Sequence, residues 1–321
     1  MGATVLCTAG AFWHSGETGI GALRSAGCKV ERSPQWGPLP AAELEPLLVG
    51  RDAVVAGMDE YNAPVIERAA GAGLKVISRW GVGYDSVDVA AAARHGVVVT
   101  YTPGATTDAV ADLTFALMLS VARSVPALDR DTRLGQWRPA RGVYVWRKCL
   151  GLIGFGSIGQ AVARRARGFE MRVLACDVVP RDDVAAGLGV EMVDLDTLLG
   201  EADFVSLHAS VTGNSRGMIG ERALRTMKST AYLINTSRGA LVDDAALCRA
   251  LNEGWIAGAG LDAHTAEPLP PDHPILKAPN TVLTPHTAFN TVESCEAVSA
   301  VVAQNTLAVL EGREPPFRVT L

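Results

Sequence analysis

Gly154, Gly156 and Gly159 stand in the order G-x-G-x-x-G, and Asp177 follows about 20 residues on. Glycines so spaced allow a tight turn, close approach of backbone to a pyrophosphate, and close packing of a helix on a strand. Ser157, Ile158 and Gly159 would open the following helix, where free N–H groups and the positive dipole end favour phosphate. A carboxylate at Asp177 can accept both hydroxyls of an adenosine ribose and would repel a 2′-phosphate. The residue types therefore suit a dinucleotide, NAD in preference to NADP.

Three further side chains with chemical uses each follow a short apolar run that reads as a strand. Residues 231–234 lead into Asn235-Thr236-Ser237-Arg238-Gly239. Residues 258–261 end in Asp262, with Glu267-Pro268 beyond. Residues 281–283 lead into Thr284-Pro285-His286. In open α/β sheets ligands sit outside the carboxyl ends of the strands. The spacing thus allows Arg238, Glu267 and His286 to converge on the nicotinamide end of a bound dinucleotide.

The elements that must position these residues can be read from the same pattern. An apolar run at 150–153 suits a buried strand before the glycines. Ile158, Ala161, Val162, Ala166 and Phe169 mark a helix after them, and 171–175 a second strand. Strand and helix patterns also alternate through residues 1–100, which argues for another parallel sheet with helices on its faces. That unit precedes the glycine motif, so the cofactor domain either is inserted in another domain or follows it. A long apolar helix over 108–123 is expected to be buried between domains, and 125–149 reads as a polar excursion rich in Arg and Trp. A final helix from 291 to 310 should pack back on the first unit.

At 321 residues and 48% hydrophobic, the chain can build two cores. A net charge of −5 gives no overall attraction to nucleic acid or acidic membranes. No apolar stretch is long enough to span a bilayer, and no secretory leader is evident. The six cysteines lack any C-x-x-C spacing, so they read as reduced thiols of a cytoplasmic protein, with no metal site.

With these residues in hand, the chain resembles the D-isomer-specific 2-hydroxyacid dehydrogenases, the family of phosphoglycerate and hydroxypyruvate dehydrogenases. The likeness runs over 74–312 and rests on SRWGVGYDSVD, GLIGFGSIG, INTSRGALVDDAAL, GLDAHTAEPLP and LTPHTAFNT. It implies two Rossmann-like α/β domains with doubly wound parallel sheets. A flavodoxin-like substrate domain would take 1–101 and 289–321, and an NAD-binding domain 102–288 would be inserted in it. It also implies a homodimer, with contacts from 108–146.

The roles implied by the resemblance suit the residue types. Arg238 offers a planar, permanently charged fork to the substrate carboxylate and carbonyl. His286 is a general acid able to titrate near neutrality. Glu267 would orient that imidazole and stabilise its charged form. Backbone N–H groups near Trp80, Gly81 and Val82 would clamp the carboxylate, and Asp262 would hold the nicotinamide carboxamide. His208 and Thr236 are further candidate cofactor contacts. Glu267 separates the chain from formate dehydrogenases, which pair their histidine with glutamine. The chain departs from the family at His264, where an aromatic or aliphatic residue is usual, at Phe289, where a small residue is common, and in the turn His208-Ala209-Ser210, which lacks the usual proline.

The expected activity is NAD-dependent interconversion of a small 2-oxo acid and its D-2-hydroxy acid. An NAD(H)-sensing protein without turnover, like the corepressors that share this fold, is the competing reading. Hydroxypyruvate, glyoxylate, 3-phosphohydroxypyruvate and phosphonopyruvate all fit such a site. Arg79, just before the carboxylate clamp, raises the expectation of a second substrate anion, with Arg138 or Arg141 of a partner subunit adding charge.

Overall fold

The computed structural model describes residues 2–179 and 181–320. They divide into two compact units, one built from the chain up to Thr106 together with Phe289 onward, the other from Thr107–Ala288. The smaller unit opens with β1 (Thr4–Cys7), α1 (Gly10–Ser15), α2 (Glu17–Ser25), β2 (Lys29–Arg32), α3 (Ala41–Leu48) and β3 (Ala53–Ala56). It continues with α4 (Ala63–Gly71), β4 (Val76–Arg79), α5 (Val89–Arg94) and β5 (Val98–Thr100). The five strands are all parallel, in the order β2-β1-β3-β4-β5. Alternate residues feed two cores, Leu6, Val54 and Ile77 on one face, Val5, Val55 and Val76 on the other. Strands buried on both faces read as continuous apolar runs, as β3 does. Side-chain caps start two of the helices: Asn62 accepts from the Val65 N–H at 3.2 Å and Asp88 from the Ala91 N–H at 2.8 Å.

The division between units falls at Thr106, later than residue 101, because hydrogen bonds hold 101–105 to the smaller unit. Tyr101 N–H donates to Phe317 O at 3.2 Å and Thr102 N–H to Gly81 O at 3.0 Å. The Ser294 hydroxyl donates to Ala105 O at 3.1 Å.

The larger unit begins with α6 (Thr107–Ala122), α7 (Val125–Arg133), β6 (Cys149–Ile153) and α8 (Ser157–Ala166). There follow β7 (Arg172–Cys176), α9 (Asp182–Leu188), β8 (Val190–Met192), α10 (Leu195–Glu201), β9 (Phe204–Leu207) and α11 (Glu221–Thr226). It closes with β10 (Tyr232–Asn235), α12 (Asp244–Glu253), β11 (Gly258–Leu261) and β12 (Thr281–Leu283). Its seven strands are parallel, in the order β12-β11-β10-β9-β6-β7-β8. The chain leaves β6 towards β7 on one side and returns to β9 on the other, so the topological switch lies between β6 and β9. That is where an open sheet of this kind binds ligands. Helix α6 is a core helix of this unit, with Leu117, Met118 and Ala122 packed among Leu150, Leu152 and Phe155. Helix α7 forms inside the stretch read as an irregular excursion, with no buried residue of its own.

The last helix, α13 (Val292–Leu310), returns to the smaller unit. The Ser299 hydroxyl accepts from the Gly19 N–H at 2.8 Å, and a Cβ on Gly19 would lie 2.4 Å from that oxygen, so only glycine lets α2 and α13 meet this closely. Among the described residues no single helix is long and apolar enough to cross a membrane. The bent pair α6 and α7 passes by length and composition only, and the apolar residues of α6 are already spent on the core.

Candidate functional site

The glycine motif sits at the switch point. Gly154 follows β6 with φ +97°, a left-handed value, and a Cβ there would lie 2.5 Å from the carbonyl carbon of His208 after β9. A Cβ on Gly159 would lie 2.3 Å from Gly154 O. These two glycines are required by the protein itself. Gly156 is different: within the described residues nothing lies within 4 Å of where its Cβ would be. The space its missing side chain leaves is open to a ligand, at the N-terminus of α8, which has no side-chain cap. Residues Ser157, Ile158 and Gly159 form that first turn. Asp177 is tied in place, with Oδ2 accepting from the Phe155 N–H at 2.6 Å and Oδ1 from the Val179 N–H at 2.8 Å. This donor set fits a pyrophosphate flanked by a ribose.

Two other expected cofactor contacts have partners inside the unit. The Thr236 hydroxyl lies 3.0 Å from that of Thr114 on α6. His208 Nε2 lies 2.9 Å from the Ser206 hydroxyl, while Nδ1 is shielded and has no partner among the described residues. Burial pushes the His208 imidazole down to about 3, so it is neutral at physiological pH.

The ends of β10, β11 and β12 carry the second group. His286 Nδ1 lies 2.7 Å from Glu267 Oε2. An ionised carboxylate only accepts, so Nδ1 carries the proton and Nε2 is the ring atom left for other chemistry. Burial pushes the Glu267 carboxyl up, but the hydrogen bond and charge of His286, with the N–H and charge of His264, outweigh it and hold it below the ordinary carboxylate range. A depressed carboxyl stabilises the fold above its ordinary value of 4.5, and that contribution is lost as pH falls through the lowered value. The pair is therefore intact at neutral pH.

The backbone of His286 is in the left-handed region, φ +50°. Asp262 holds it there. The His286 N–H donates to Asp262 O at 2.8 Å. The buried Asp262 carboxylate accepts from the Thr284 hydroxyl at 2.6 Å and the Thr287 N–H at 2.9 Å on Oδ1, and from the Ala288 N–H at 2.9 Å on Oδ2. Its oxygens thus fix 284–288, a role beside the nicotinamide contact that the resemblance implies. Arg238 stands at the turn after β10, half-buried. Its Nη1 donates to Ser237 O at 2.8 Å, and its own carbonyl accepts from Asn235 Nδ2 at 2.9 Å.

In the smaller unit the loop after β4 carries Trp80, Gly81 and Val82. Gly81 has φ +131°, a conformation that favours glycine. Among the described residues the N–H groups of Gly81 and Val82 have no hydrogen-bond partner, nor has the buried Trp80 Nε1. Arg79 differs from expectation. It is 2% exposed. Its Nε donates to Gly83 O at 2.9 Å, and Nη1 to Ala56 O at 2.7 Å and to Gly57 O. Its Nη2 is 3.1 Å from the Met58 sulfur. The guanidinium knits the ends of β3 and β4 together, which accounts for its burial.

Sequence reading missed Ser206, Thr284 and the donors at Thr287 and Ala288. No local motif marks them, because their partners are set by which strands become neighbours.

Two parallel sheets, a glycine-lined switch point and a carboxylate–imidazole pair at the strand ends define a dinucleotide-dependent α/β oxidoreductase. Residues 115–288 match the family model described as D-isomer specific 2-hydroxyacid dehydrogenase, NAD binding domain. The chain is 47% identical over 272 residues to a glyoxylate reductase of Korarchaeum cryptofilum, covering 83% of this chain and 81% of that one. A glyoxylate reductase of Thermofilum pendens is 43% identical over 298 residues, covering 90% and 87%. Among solved structures, the apo D-lactate dehydrogenase of Escherichia coli superimposes with TM-score 0.86 at 30% identity, covering 99% of this chain and all (100%) of that one. The chain belongs to the D-isomer-specific 2-hydroxyacid dehydrogenases, NAD-dependent enzymes that interconvert 2-oxo and 2-hydroxy acids.

Proposed function

We propose that the chain reduces a small, singly charged 2-oxo acid of the glyoxylate or hydroxypyruvate type to the D-2-hydroxy acid. The observation that carries this reading is the His286–Glu267 pair, which leaves Nε2 as a proton donor at a strand end. NADH, bound along the switch point, would supply the hydride. Gly154, Gly156, Gly159 and the first turn of α8 would hold its pyrophosphate, and Asp177 its adenosine ribose. Arg238 would hold the substrate carboxylate and carbonyl oxygen; the N–H groups of Gly81 and Val82, without a partner among the described residues, are the further carboxylate donors that the resemblance implies. His286 would protonate the carbonyl oxygen, and Glu267 would stabilise the imidazolium that precedes the transfer.

A second substrate anion, as in phosphonopyruvate, is the less favoured form of this proposal. It would need Arg79, whose guanidinium is buried among backbone carbonyls. The test is loss of NADH or NADPH absorbance with glyoxylate, hydroxypyruvate, pyruvate and phosphonopyruvate. Turnover of the first two with NADH is expected. Preference for phosphonopyruvate would restore the second anion, preference for NADPH would overturn the reading of Asp177, and no turnover with any acid would leave a sensing protein.

We further infer a homodimer in a reducing compartment, the cytoplasm. All six cysteines are unpaired. Leu134, Trp137 and Tyr144 are 68%, 87% and 75% exposed, an apolar surface with Arg138 and Arg141 beside it that a second copy would cover. Sedimentation equilibrium should give a dimer, shifted towards monomer by Trp137→Asp. A monomeric wild type would refute it.

A further inference from the structure

His264 links the Glu267 loop to the end of β12. Its backbone N–H donates to Glu267 Oε1 at 2.9 Å. Its ring Nε2 lies 2.9 Å from Thr284 O, and a carbonyl only accepts, so Nε2 carries the proton. Thr284 in turn bonds Asp262 and precedes His286 by two residues. On the other side, a Cβ on Gly239 would lie 2.0 Å from the His264 carbonyl carbon, so the Arg238–Gly239 turn rests directly on this residue. A cavity of about 10 Å³, room for no more than one water, is lined in part by His264, Asn235, Gly239 and His273.

We propose that His264 is a positioning residue: its imidazole ties the segment bearing Glu267 to the segment bearing His286 and so sets the geometry of that pair. An aromatic hydrocarbon or aliphatic side chain here could fill the same space but could not donate to Thr284 O. In this chain the Glu267 carboxylate is therefore held from both sides, by the His264 N–H and by His286, while the His264 ring fixes the strand end from which His286 projects. Among the described residues, the charged and titratable groups near His264 are Glu267 on its own loop, Asp262 and His286 on the β11 and β12 ends, Arg238 on the adjoining turn, Asp244 of α12, which accepts from the neighbouring Thr265 hydroxyl, and His273, whose Nε2 lies 3.4 Å from Asp244 Oδ2.

This inference rests on the reductase reading, and the experiment separates the two. In the full-length enzyme, His264→Phe should lower kcat roughly five- to tenfold, the worth of one hydrogen bond to a positioned group. NADH affinity should stay unchanged. The alkaline limb of the kcat profile should move to lower pH, because a looser Glu267 stabilises the imidazolium less. His264→Gln, whose amide can donate to Thr284 O, should recover most of both. A His286 ring resonance followed by NMR titration gives the same shift without turnover. Should the Phe variant fail to fold, His264→Leu against His264→Gln makes the comparison. Phe at wild-type kcat with an unmoved pH profile and NMR midpoint would overturn the proposal, as would equal losses in Phe and Gln. A wild type inactive on every 2-oxo acid would overturn the reductase reading instead, while the NMR titration still decides the role of His264.

Discussion

His286→Ala is expected to cut kcat by about 10²–10⁴-fold, the usual worth of a positioned general acid, while leaving NADH affinity nearly unchanged. The expectation follows from how the ring is used. Nδ1 is committed to Glu267 at 2.7 Å, so the ring cannot turn without taking the partner from Glu267 Oε2, and only Nε2 can deliver a proton. The loss should lie in kcat, because the imidazole belongs to the strand ends β11 and β12 and not to the glycine motif or α8. The backbone at φ +50° complicates alanine, so His286→Asn is the better second variant, since asparagine tolerates that conformation. Single-turnover hydride transfer and NADH fluorescence titration measure the two quantities separately. Near wild-type turnover in both variants would remove His286 from the chemistry and require another proton donor.

How much of this was legible beforehand depends on the range of the interaction. The glycine motif, Asp177 and the three strand ends were readable because each is local: a strand, a turn and a polar residue within a few positions. Both parallel sheets followed from the alternation of apolar runs and helices. The short elements α9, β8 and α10 are not legible, because seven residues of helix or three of strand leave too little periodicity to see. Helix α7 escaped because its side chains face away from any core. The hydrogen bonds of Arg79 and Asp262 were not legible, for one shared reason. Motif position placed each near the chemistry, whereas the fate of its donors or acceptors is set by carbonyls and N–H groups from other segments. Arg79 donates to carbonyls on two strand ends, and Asp262 accepts from a loop more than twenty residues ahead. The same blindness covers His264, whose partner Thr284 sits on the next strand.

Asp262→Ala is expected to be the most damaging single change away from the reacting atoms. The carboxylate is fully buried and accepts from three donors on 284–288. Alanine would leave those donors without an acceptor, at roughly 1–3 kcal/mol for each buried group left unpaired. A total loss of about 3–5 kcal/mol should lower the Tm of the larger unit by roughly 10 °C. Turnover should fall with it, since the carboxylate fixes Thr284, Thr287 and Ala288 on either side of His286, even though the bond from the His286 N–H to the Asp262 backbone carbonyl survives the change. Asp262→Asn keeps one carbonyl oxygen but turns an amide N–H towards a backbone N–H, so it should lie between Ala and wild type in Tm while still losing most activity. The competing role, a contact to the cofactor carboxamide, makes the opposite pattern: both variants would keep the wild-type Tm and weaken NADH binding. Calorimetry paired with NADH titration distinguishes them. An unchanged Tm with a strongly raised NADH Kd would show that the carboxylate serves the cofactor and that 284–288 is held by other contacts.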